Sequence, residues 1–282
     1  MSHMKAATAH IDLEALKHNL GCVKQKAPNS KVMAVVKANS YGHGLHYVAQ
    51  HASAADAFGV ARIEEALQLR ASGVVKPILL LEGFYSSRDL PVLVTNSIHT
   101  VVHCEEQLYD LEKASLENPV VVWLKIDSGM HRLGVRPEHF EHFVERLEAC
   151  KNVAKPLRYM SHFGCADELD KPITQKQIEL FLSLTKGCLG ERSLANSAGV
   201  LAWPDSQLEW VRPGIILYGV SPLPNKTATD LGFKPVMTLK SHLIAVRTVK
   251  SGESVGYGGN WTSDRDTKVG VIAIGYGDGY PR

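Results

Sequence analysis

Short apolar runs of β-branched residues and leucine alternate along most of the chain with longer stretches in which apolar side chains recur every third or fourth position. The first pattern predicts strands buried on both faces, the second amphipathic helices. "VMAVV" (32–36) precedes a stretch with Leu45, Val48, Ala49 and Ala52 on one face; "AFGVA" (57–61) precedes Ile63, Ala66, Leu67 and Arg70, with Gly73 as a stop. "PILLLEG" (77–83) and "HTVVH" (99–103) come next, then "VVVWLKID" (120–127) ahead of a helix bearing Phe140, Phe143, Val144 and Leu147. "LRYMSHF" (157–163) leads to "TQKQIELFLSLTKG", in which Thr174 and Gln177 have the spacing of a capping box. "RSLANS" (192–197) and "GIILYGV" (214–220) complete the series.

Eight strand-like runs, most of them trailed by a helix over roughly 220 residues, have the length and alternation of a (β/α)8 TIM barrel, with a doubly wound sheet as the rival. After the proline-rich and polar "SPLPNKTATD" (221–230) the pattern changes to strands and turns only. The expected division is therefore a barrel over 4–225 and a β domain over 231–282, the latter too short to bury a core of its own. The sequence reads as stopping inside that domain. Its last residue, Arg282, is what a trypsin-like cut would leave, and Ser-His ahead of Met4 reads as a cloning remnant.

Composition narrows the functional classes. With 31 Lys plus Arg against 29 Asp plus Glu the net charge is +2, and no basic run is interleaved with aromatics, so a nucleic-acid partner is not expected. The five cysteines are odd in number and widely spaced, which suits a reducing cytoplasm. No run is long enough for a membrane span, and no phosphate-cradling glycine loop of the dinucleotide or P-loop type occurs.

The chemistry collects where a barrel would put it. Active sites of such barrels form at the C-terminal ends of the strands, and there the sequence places Lys37, Lys125 with Asp127, His162, and Asn196 with Ser197; Arg212 lies just before "PGIILYG". Each alone has a plainer explanation: a solvated lysine, a core histidine, a helix cap, a surface ion pair. The joint arrangement favours a site. His139 and His142, among Glu138, Glu141 and Glu145, read as a solvated helix face rather than metal ligands.

The motifs "AVVKANSYGHG", "KIDSGMHRLGV", "SHFGCADE", "ANSAG", "VRPGIILYG", "VGYGGNW" and "IGYGDGYPR", in this order and across nearly the whole chain, resemble those of bacterial alanine racemase, a fold-type III enzyme dependent on pyridoxal 5'-phosphate (PLP). The resemblance implies that Lys37 holds PLP as a Schiff base and serves one face of the substrate Cα, while Tyr257, reaching in from the partner of a homodimer, serves the other. It implies phosphate contacts from Tyr41, Ser197, Gly214 and Ile215, with Asn196 and Tyr218 in the same cofactor-binding motifs. Arg212 would face the pyridine nitrogen, with His162 beside the ring and bonded to Arg212. Arg132 would meet the substrate carboxylate, and Lys125 would be carbamylated and orient Arg132. The implied reaction interconverts L- and D-alanine, supplying D-alanine for peptidoglycan. The alternatives on the same residues are a non-catalytic PLP-carrying barrel, against which Tyr257 argues, a PLP-dependent decarboxylase, and a racemase of broad specificity. The family usually continues for about 80 further residues, with a Cys-Met segment and another phosphate-contacting tyrosine.

Overall fold

The computed structural model describes residues 6–281, so Met4 and Arg282, the two ends read from the sequence, lie outside the described residues. The chain forms two compact units, one spanning Asp12–Val236 and the other combining the first strand with the chain from Met237 onward.

The larger unit is the expected barrel. Strands β2 (Lys31–Val35), β3 (Ala57–Val60), β4 (Ile78–Leu80), β5 (Ile98–Val102), β6 (Val120–Lys125), β7 (Val153–Met160), β8 (Arg192–Ser193) and β9 (Trp210–Val211) succeed one another around a closed ring. Neighbours pair in parallel throughout, and β9 closes on β2 through Lys31↔Trp210 and Val32↔Val211. Seven strands each send one buried side chain into the interior: Met33, Ala57, Leu79, Val101, Trp123, Met160 and Trp210. Trp123 and Trp210 meet edge to face at 6.2 Å, so the barrel is filled by packed side chains and leaves its chemistry to the rim.

The eighth strand differs from the sequence expectation. "GIILYGV" forms a 3-10 turn, Ile215–Tyr218, and the strand that closes the ring is the two-residue β9 just before Arg212. A short apolar run does not distinguish a strand from a buried turn; here Gly219, left-handed at φ 76°, ends the turn, and its Ile216, Leu217 and Tyr218 are buried in it. Asn19, buried on the helix Leu13–Lys26, donates to the Leu217 and Lys234 carbonyls and accepts from Lys234 N–H, stapling this turn in place. Arg212 thereby becomes a strand-end residue like the others.

The capping box at Thr174 is also not realised. The helix Ile173–Leu184 starts one residue earlier, Thr174 is buried inside it, and Gln177 turns toward the strand ends instead.

In the second unit β1 (Ala7–Ile11) pairs antiparallel with β10 (Met237–Ser241), so the N-terminal segment does not group with the barrel as its place in the chain suggested. The long antiparallel pair β11 (Leu243–Val249) with β14 (Thr267–Ile272), and the short pair β12 (Ser254–Val255) with β13 (Trp261–Thr262), make up the rest. Leu243, Ile244, Val246 and Ile272 are exposed, in keeping with a unit that has little core. Among the described residues no helix is long and apolar enough to cross a membrane.

Candidate active site

A cavity of about 540 Å³ opens at the C-terminal ends of the barrel strands. Its lining includes Lys37, Tyr41, Lys125, Arg132, His162, Asn196, Ser197, Arg212, Gly214 and Ile215, so ten of the thirteen residues singled out in the sequence converge on one space.

Lys37 comes after β2 and Val36 and is only half-buried, on the rim of the cavity. The next four residues have an unusual backbone. Ala38, Asn39, Ser40 and Tyr41 all have φ between 53° and 55°, so the chain makes one left-handed helical turn built without glycine. Such backbone costs L-residues about 1–2 kcal/mol each, and it persists only where its surroundings fix it. They do so at several points: Glu65 Oε1 accepts from Ala38 N–H at 2.6 Å, Gly42 N–H returns to the Ala38 carbonyl at 3.1 Å, and Asn39 Oδ1 accepts from Leu45 N–H at 2.9 Å. The turn reverses the chain, and Lys37 and Tyr41 at its two ends both reach the cavity.

Tyr41 packs against the backbone at Gly214. A Cβ at Gly214 would collide with the Tyr41 hydroxyl, so glycine there lets the phenol approach the backbone. Beside them the buried Ser197 Oγ accepts from Gly214 N–H at 2.9 Å and from Ile216 N–H at 3.3 Å. Hydroxyls and N–H groups thus gather at one end of the cavity, a donor set suited to a phosphate. Asn196 both lines the cavity and caps the helix Ser197–Ala202 by accepting from Gly199 N–H at 2.9 Å, so the plainer reading of this residue is realised alongside the site.

Arg212, 4% exposed, donates from Nη1 to Ser193 Oγ and from Nη2 to the Ser161 carbonyl, each at 2.5 Å. Burial lowers its pKa to about 10, which still leaves it charged near neutrality. The expected bond between Arg212 and His162 is not among the bonds of the described residues; Nη1 and Nη2 turn to Ser193 and Ser161 instead. His162 is instead fixed through its backbone, whose carbonyl accepts from Gln177 Nε2 at 3.0 Å. Burial first, then Arg212, Lys125, Arg132 and Lys37, push its pKa down to about 3, so its ring is neutral.

Lys125, 6% exposed, has its pKa lowered to about 8 by burial and by Arg212 and Arg132. Arg132 stands on the loop after β6, which folds back so that Val135 N–H donates to the Lys125 carbonyl at 2.8 Å. Asp127 organises that loop: it accepts from the N–H groups of Gly129 and His131, each at 3.0 Å, and from His131 Nδ1. Although it stood out at the strand end, it is a loop anchor and lies outside the cavity lining.

Two predicted residues are placed differently. Tyr218 is buried behind the wall, its hydroxyl donating to the Val35 carbonyl at 3.0 Å and its ring 4.8 Å from that of Tyr41, so it backs Tyr41 rather than lining the cavity. Tyr257 belongs to the other unit, where its side chain is 99% exposed in the turn after β12. Conversely, the cavity is also lined by Glu82, Asp167 and Met160. Glu82, two residues past β4, obeys the same strand-end rule, which was the signal for it; Asp167 lies in the motif "SHFGCADE", and Met160, an apolar strand residue, carried no signal. Four cations against two carboxylates favour an anionic ligand, and one of the cations is an amine at the rim.

The family models for the alanine racemase N-terminal domain and for the alanine racemase C-terminal domain match residues 11–222 and 236–282. The chain belongs to the alanine racemase family. The alanine racemase of Vibrio vulnificus strain YJ016 is 80% identical over the whole chain, which covers 76% of that relative, and that of Vibrio cholerae is 79% identical over 99% of the chain and 77% of the relative. Among solved structures, the biosynthetic alanine racemase of Pseudomonas aeruginosa superposes with a TM-score of 0.95 at 44% identity, over 99% of this chain and 78% of the other. Five of the seven motifs quoted from the sequence, those between Ala34 and Gly219, contribute residues to the cavity lining; "VGYGGNW" and "IGYGDGYPR" lie in the other unit.

Proposed function

We propose that this chain interconverts L- and D-alanine at the barrel cavity with pyridoxal phosphate as cofactor, and that the product supplies peptidoglycan in the cytoplasm. The observation that carries the reading is the convergence on one cavity of a rim amine, Lys37, a hydroxyl and N–H cluster around Gly214, and a buried guanidinium, Arg212. That donor set fits the cofactor. Tyr41, Ser197 and the N–H groups of Gly214 and Ile215 would hold the phosphate, Lys37 the aldehyde carbon and Arg212 the ring nitrogen. When bound, the cofactor supplies a conjugated ring that acidifies the Cα–H of an attached amino acid.

Lys37 would have two tasks, to hold the cofactor and, as a free amine, to move a proton at the substrate Cα. Racemisation needs a second group on the opposite face, and Tyr257 of a partner subunit is the residue we assign there. Arg212 keeps its proton near neutrality and would donate a hydrogen bond to the ring nitrogen without giving the proton up, which would limit how strongly the ring withdraws electrons. Arg132 supplies a planar fork for the substrate carboxylate. Lys125, with its pKa near 8, has an appreciable neutral fraction at mildly alkaline pH. The neutral amine adds CO2 with loss of a proton, and the resulting carbamate would turn the cation beside Arg132 into an anion that orients it.

The test is Cα hydrogen exchange. In D2O, L-alanine incubated with the PLP-loaded protein should exchange its Cα hydrogen and yield the D isomer. Cofactor binding without exchange would leave only a carrier of PLP.

A further inference from the structure

The left-handed turn that carries Lys37 and Tyr41 is closed by a side chain with no task in the proposed reaction. His43 Nδ1 lies 3.1 Å from the Ser40 carbonyl and 2.9 Å from the Tyr41 carbonyl. Carbonyl oxygens only accept, so Nδ1 must carry the proton and share it between them. Its other nitrogen, Nε2, is buried without a partner, so only the Nδ1–H tautomer is fixed by bonds. The ring packs 4.6 Å from that of Tyr218, against which Tyr41 also packs, and Tyr218 in turn bonds the Val35 carbonyl at the end of β2. His43 therefore ties together the last turn residue, the ring that backs Tyr41 and the strand end that delivers Lys37.

We infer that His43 is a positioning residue: as its Nδ1–H tautomer it clamps the left-handed turn and so sets where the Tyr41 hydroxyl and the Lys37 amine stand for the cofactor. A turn of four strained residues has a competing relaxed form, and a donor shared by two of its carbonyls favours the strained one. The positioning of groups for the cofactor rests on the proposed PLP reading; the tautomer does not.

Two measurements test it. In the 15N-labelled chain, the imidazole resonances of His43 should show a proton on Nδ1 and none on Nε2; a proton on Nε2 alone would overturn the inference, whatever ligand the cavity takes. The second compares His43→Asn, whose amide NH2 falls where Nδ1 was, with His43→Gln, whose amide reaches the Nε2 position, and with His43→Ala. Titration of each apo-protein with PLP should show affinity within about threefold of the parent for Asn and weakened about tenfold or more for Gln and Ala, the loss expected from two hydrogen bonds. Equal losses for Asn and Gln would mean that His43 only fills space, and unchanged affinity in all three would mean that the turn needs no clamp; either overturns the inference. Should a variant fail to fold, the resonance measurement on the parent chain still decides. Reduced label found away from Lys37 would sink the cofactor reading while leaving the tautomer intact.

Discussion

His162 shows how much of the site's character is set by neighbours. Its folded pKa of about 3 lies below the ordinary histidine value because burial and four cations oppose its charge. The unfolded chain therefore takes up a proton at this position first as the pH falls. The stability that neutral His162 contributes is fully present above about pH 6.5 and is lost progressively toward pH 3. Urea denaturation at pH 7 and pH 4.5 should accordingly show the parent losing about 2 kcal/mol more than His162→Leu over that interval; equal losses would show that the ring charges freely in the folded state. That His162 belonged to a site was legible from its place after a strand, but its actual partners were not. The sequence holds no distance between Arg212 and the oxygens of Ser161 and Ser193, and those oxygens decide where the guanidinium points.

Among elements, the turn after Lys37 contributes most. Asn39 tolerates the left-handed region better than most residues, and its side chain also caps the helix Leu45–His51 by accepting from Leu45 N–H. Asn39→Ala should therefore cost about 2 kcal/mol in chemical denaturation, the sum of the backbone and cap losses, whereas Asn39→Gly should recover the backbone part. The strand–helix alternation was legible because short continuous apolar runs contrast with long stretches of period 3.6. It failed where runs were short. "GIILYGV" is apolar enough for a strand, and only the buried staple by Asn19 and the left-handed Gly219 make it a turn. Gln177 misled in the same way: its spacing from Thr174 suggested a cap, yet its amide holds the His162 and Gly164 backbone.

For the whole molecule, the two-face chemistry requires a second proton-transfer group opposite Lys37, and Tyr257, which does not line the cavity of its own barrel, is the residue assigned to that task. Because its side chain is 99% exposed, Tyr257→Phe should change folding stability by no more than about 0.5 kcal/mol. Racemisation should nevertheless fall by about 100-fold or more, the contribution of a positioned proton donor or acceptor. Subunit exchange tests the dimer directly. Lys37→Ala and Tyr257→Phe chains, each inactive alone, should regain activity when mixed, since one of the two shared sites then carries both native groups; no recovery from a confirmed mixed dimer would place Tyr257 outside the partner's site. The barrel and the strand-rich second unit were both legible in the sequence, whereas the pairing of β1 with β10 was not, because nothing local in "ATAHI" records which distant strand completes its hydrogen bonds.

Every role assigned to the cavity depends on covalent chemistry at one amine. The most direct measurement is borohydride reduction of the PLP-loaded protein and peptide mapping of the product. The visible-edge absorbance should disappear, and the reduced pyridoxyl group should be found on Lys37 alone. Label on Lys125 or any other lysine, or no label on a protein that binds PLP, would contradict it.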